Sequence, residues 1–118
     1  MLLGKTTGAK RWPRGQKFSL SPSGAAAEEA YRSAVLGARA SGRPALDAAL
    51  AAWAAPRGLA PVDGVVLAEL AGKKLGLAEL SEGLEGAGIA AEDVRQAITR
   101  LVAAGIVEPL PLHPDRIP

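Results

Sequence analysis

The sequence predicts a mainly α-helical fold: about five helices, with one short strand after the last. Three observations carry that expectation. Alanine fills 25 of the 118 positions; it is the strongest helix former and a poor filler of volume, so helices built from it pack closely. Apolar residues recur at spacings of three and four in five successive windows, the period of one helix face. Each window is closed by a breaker: Ser41-Gly42, Pro56-Arg57-Gly58, Gly72, Gly86-Ala87-Gly88 and Gly105.

The first window holds Ala27, Ala30, Tyr31, Ala34, Val35 and Ala38. Its helix is expected to begin near Ala25, with Ser23 as cap and Glu28 and Glu29 near the positive end of the dipole. Pro44 suits the first turn of a second helix, whose stripe is Leu46, Ala49, Leu50 and Trp53. Trp53 is the expected large anchor of the core. A third helix carries Val62, Val66, Leu67 and Leu70, opened by Pro61 and Asp63. The fourth has Leu77, Leu80, Leu84 and Ala87, and the fifth has Val94, Ala97, Ile98, Leu101 and Val102. Gly105 is placed to end the fifth helix in the left-handed conformation. Ile106-Val107-Glu108 then alternates like a strand, which Pro109 and Pro111 keep short.

The chain divides on composition. Residues 1–24 mix Gly, Lys, Arg, Ser and Pro without periodicity and read as a basic, flexible N-terminal arm. Within it, Trp12 and Phe18 are expected to pin the arm to the body rather than to stack on a base. Residues 25–118 read as a single helical domain: an Ala-rich helical pair over 25–58, a core over 62–110 and a Pro-rich tail over 111–118. The net charge of +2 is unevenly distributed. Residues 1–20 carry five cations and no acid, whereas the other 98 carry nine cations and twelve acids. A basic arm on a mildly acidic body suggests a polyanionic or acidic partner.

Several functional classes are marked down. Without cysteine there is no disulfide framework and no thiolate zinc site. Gly4-Lys5-Thr6 lacks the upstream glycine and strand of a phosphate-binding loop. His113, the only histidine, can supply at most one nitrogen to a metal or a catalytic relay. Glu28-Glu29 and Glu92-Asp93 are explained as first-turn charges rather than acid/base pairs. The expectation is a protein with no catalytic activity, cofactor or metal. Met1-Leu2-Leu3 runs straight into Gly4-Lys5, leaving no signal-peptide core, and no stretch of about 18 apolar residues could span a membrane. A cytoplasmic location is the default.

The stretch Leu70-Ala71-Gly72-Lys73-Lys74-Leu75-Gly76-Leu77-Ala78-Glu79-Leu80, then Gly88-Ile89, then Val94 through Leu101-Val102-Ala103-Ala104-Gly105-Ile106-Val107-Glu108, resembles a winged helix-turn-helix domain. The resemblance covers residues 62–110. It implies a three-helix core: a support helix, a second helix reached through a short extended piece, and a recognition helix that returns into a strand. Two short helices joined by a tight turn need a third behind them to bury their stripes, which supports this arrangement on physical grounds. Only ten residues follow Glu108, and four of them are proline, so the wing is expected to be missing or vestigial.

For function, the resemblance implies a regulator that binds double-stranded DNA. The candidate contacts are Lys5, Lys10, Arg11, Arg14 and Lys17 in the arm, and Arg95, Gln96, Thr99 and Arg100 on the exposed side of the last helix. Arginine on guanine and glutamine on adenine are the usual base-edge pairings, and a basic arm can add phosphate or minor-groove contacts. Opposing this, residues 75–108 carry six acids and two cations, an unfavourable balance for a duplex. Glu79, Glu82 and Glu85 lie on the helix that would approach the backbone. The alternative is a protein–protein interaction or dimerisation module, in which the Ala-rich helices pair with a second copy or the basic arm meets an acidic protein.

Overall fold

In the computed structural model, which describes residues 12–111, the chain enters the fold well before its first helical stripe. Strand β1, Lys17–Leu20, is followed at once by helix α1, Pro22–Ala38. Ser21 caps α1: its hydroxyl accepts the Gly24 N–H at 3.0 Å, and Pro22 occupies the first turn, where no backbone donor is needed. The cap therefore lies two residues before the expected one, and residues 17–24 belong to the fold rather than to a flexible arm. A short 3-10 turn and Gly42 reverse the chain into α2, Arg43–Ala54. Then come α3, Pro61–Leu70; strand β2, Leu75–Gly76; α4, Leu77–Leu84; α5, Ala91–Ala103; and strand β3, Val107–Pro109. The fourth helix stops at Leu84 and continues to Ala87 only as a 3-10 turn.

The architecture is mainly α, with five α-helices and a three-stranded antiparallel sheet among the described residues. The sheet exceeds the single strand expected. Its order is β2-β1-β3, so the N-terminal strand lies between two strands that come from the C-terminal half. Lys17 pairs with Gly76 and Phe18 with Leu75 on one side; Phe18, Ser19 and Leu20 pair with Pro109, Glu108 and Val107 on the other. Phe18 is inaccessible to solvent, and Trp12 meets it edge-on with ring centroids 5.1 Å apart. Sequence periodicity could not place a strand here, because a four-residue segment among polar neighbours carries no repeat.

Helices α3, α4 and α5 supply most of the core: Val66, Leu67, Leu70, Leu80, Val94, Ala97, Ile98 and Leu101 are fully buried. The α1–α2 hairpin packs on α3 around Trp53. Its indole N–H donates to the Ala27 carbonyl at 3.0 Å, Tyr31 meets its ring edge-on, and the Arg57 guanidinium lies 5.3 Å from the ring centre. Tyr31 also packs on Gly64 of α3, where an added Cβ would overlap the phenol ring. That contact requires glycine in a helix interior despite its propensity cost. No described helix is long and apolar enough to cross a membrane.

Candidate functional site

Helix α5 was expected to present four residues to a nucleic acid, and its geometry distributes them differently. Arg100 turns inward. Its guanidinium donates two hydrogen bonds of 2.8 Å to the carboxylate of Asp63 on α3, a bidentate pair, and Asp63 has no solvent exposure. Asp63 also accepts the Ala60 N–H at 2.9 Å, so it caps α3 with one oxygen while both oxygens hold α5. The hydrogen bonds that Arg100 donates to Asp63 raise its pKa above the ordinary value, against the opposing effect of partial burial. Arg100 thus clamps α5 to α3.

The remaining three side chains are also engaged within α5. Arg95 pairs with Glu92, Gln96 donates to the second Glu92 oxygen at 3.2 Å, and the Thr99 hydroxyl donates to the Arg95 carbonyl at 2.9 Å. Base-edge readout would have to break these contacts. Glu82 and Glu85, which precede α5, and Asp93 in its first turn are exposed acids.

Of the basic arm residues, Lys5, Lys10 and Arg11 lie outside the described residues. Arg14 is exposed in the turn leading to β1. Lys17, at the start of β1, lies 3.3 Å from Glu79 at the start of α4. Glu79 has a second donor, the Gly76 N–H at 2.8 Å. That backbone donor first, and Lys17 second, hold its carboxyl below the ordinary value of 4.5. The strand is further fixed by Gln16, whose amide donates to the Leu110 carbonyl at 2.6 Å, and by the Leu110 N–H, which donates to the Lys17 carbonyl at 2.8 Å.

No protein-family model, curated protein or solved structure matches this chain. Its functional reading therefore rests on the residues alone. Among the described residues, no group of three or more His, Asp or Glu side chains is placed to hold a metal ion. His113 lies outside the described residues.

Two features escaped sequence reasoning. Asp63 read as a helix-opening acid, and its pairing with Arg100 spans 37 residues, beyond any periodic signal. A lone acid in the run Val62-Asp63-Gly64-Val65-Val66-Leu67 was the available hint that it faces inward with a partner. Lys73 and Lys74, both exposed in the turn between α3 and β2, were also passed over. They become noticeable only because β2 pairs with the strand that carries Lys17.

Proposed function

We propose that this protein is a non-catalytic, winged-helix-like regulator that contacts nucleic acid through its basic N-terminal segment, with α5 acting as a structural helix rather than a base reader. The observation that carries the reading is the position of that segment. Residues 1–20 hold five cations and no acid, and residues 17–20 form the central strand of the sheet. A strand fixed between two neighbours gives the preceding cations, Lys5, Lys10, Arg11 and Arg14, an anchored base from which to meet phosphates. The order α3, β2, α4, α5, β3 supports the winged-helix part of the reading, with β1 in the place that a second wing strand would fill.

The test is a titration of random duplex DNA across about 50 to 200 mM salt. Log affinity should fall linearly with log salt, by about 0.9 for each phosphate contact. The triple variant Lys5→Gln, Lys10→Gln and Arg11→Gln should flatten that slope. Removing residues 1–20 altogether is the wrong comparison, because it also removes β1. If the wild-type protein shows no affinity at the lowest salt, the nucleic-acid reading fails.

A second reading, a protein-interaction or dimerisation module, is favoured by the pairing of Arg95 and Arg100 within the molecule and by the acids exposed on α4 and α5. Light scattering distinguishes it: an oligomer whose stability is insensitive to added DNA supports this reading over the first.

A further inference from the structure

We infer that the phosphate-contacting surface is completed by Lys73 and Lys74, and that its occupant is a nucleic-acid backbone held without base readout. This rests on the nucleic-acid reading above and goes further, naming the surface and the mode of contact.

Register carries the argument. Lys17 pairs with Gly76 and Phe18 with Leu75. The same antiparallel register, continued by one residue, places Lys74 across from Ser19, with Glu108 on the other side of that serine. Side chains alternate across a sheet, so with Phe18 buried beneath it Lys17 and Lys74 belong to the outer face. Residues 17–18 and 75–76 thus meet side by side, and the stretches around them, 12–20 and 71–77, carry Arg14, Lys17, Lys73 and Lys74 and no acid.

Three carboxylates border the surface: Glu79 at 3.3 Å from Lys17, Glu69 at 3.9 Å from Lys73, and Glu108. The lysines of both pairs are about half accessible, and although Glu69 is partly buried, pairs with one solvated end at these distances hold their lysines weakly. A phosphate can draw these ammonium groups away. Among the described residues, Arg14 and Lys74 are in no ion pair. The contrast with α5 decides the location, because Arg100 is bound by two hydrogen bonds to a fully buried carboxylate and cannot be drawn outward without stranding it. Contacts made by lysines to phosphate fix position but read no sequence.

The experiment compares Lys73→Gln/Lys74→Gln with Arg95→Ala/Gln96→Ala, each in the full chain, on two duplexes of unrelated sequence. The lysine pair is exposed and outside the core, and an unchanged thermal midpoint verifies its fold. Its salt slope should drop by about 1.8, and low-salt affinity should fall about tenfold or more on both duplexes alike. The α5 pair should bind as the wild type does. Three results overturn the inference. If the wild type binds but the lysine variant keeps its slope, the surface is refuted while the nucleic-acid reading stands. If the α5 variant loses preference between the duplexes, base readout is present and the contact mode is refuted. If the wild type does not bind at all, both fall together.

Discussion

Asp63 and Arg100 illustrate how two charged residues can be used for shape rather than recognition. A wholly buried carboxylate is tolerable only with a partner and hydrogen bonds, and Asp63 has both. The two ends of the pair are not equivalent. Arg100 retains 38% side-chain exposure and can turn to water if its partner is lost, whereas Asp63 cannot. Arg100→Ala should therefore destabilise the protein by about 3–5 kcal/mol, the usual cost of leaving a buried charge unpaired. Asp63→Asn, which keeps an acceptor for the Ala60 N–H, should cost clearly less. Urea unfolding with unchanged m-values checks both, and equal losses would remove the asymmetry. At this scale the sequence was misleading: Arg100 read as exposed on a helical wheel, because a wheel shows which face a residue occupies and not which neighbour it can reach.

Helix α1 provides a comparison at the scale of an element. It contains Gly24 near its start and Gly37 near its end. Gly24 lies against β3's approach, where a Cβ would fall 1.9 Å from the Ile106 carbonyl oxygen and 2.9 Å from its carbon. The obstacle is backbone, so it cannot rotate aside. The same corner is tied by the Ser21 hydroxyl, which donates to the Gly105 carbonyl at 2.6 Å, and by the Ser21 N–H, which donates to Ile106 at 3.0 Å. At Gly37 an added Cβ would meet no other packed group of the described residues within 4 Å. Gly24→Ala should therefore destabilise by about 1–3 kcal/mol or more through overpacking. Gly37→Ala should stabilise by about 0.5–1 kcal/mol through helix propensity. Thermal midpoints of the two variants should move in opposite directions. Sequence located this helix through its apolar spacing but could not tell the two glycines apart, since the difference is made by residue 106.

For the whole molecule, the decisive event is the insertion of residues 17–20 between β2 and β3. Without it, two very short strands would each lose their only partner in the sheet, and Leu75 and Pro109 would lose Phe18 from between them. A chain beginning at residue 21 should lose at least the 3–5 kcal/mol typical of removing one buried phenylalanine, and its unfolding transition should broaden or disappear. A truncated chain that unfolds with the wild-type midpoint would show that the strand is dispensable. The helices were legible in the sequence because a period of three and four, broken by glycine and proline, reports on neighbours within about one turn. So were Trp53 as an anchor and the separation of a basic segment from an acidic body. Tertiary structure alone decided that residues 17–20 become the middle strand, that Arg100 faces Asp63, and that Lys17 pairs across the sheet with Gly76. Each of these joins residues tens of positions apart, through contacts whose partners are chosen by packing and by the need to satisfy buried polar groups, and no local pattern encodes that choice.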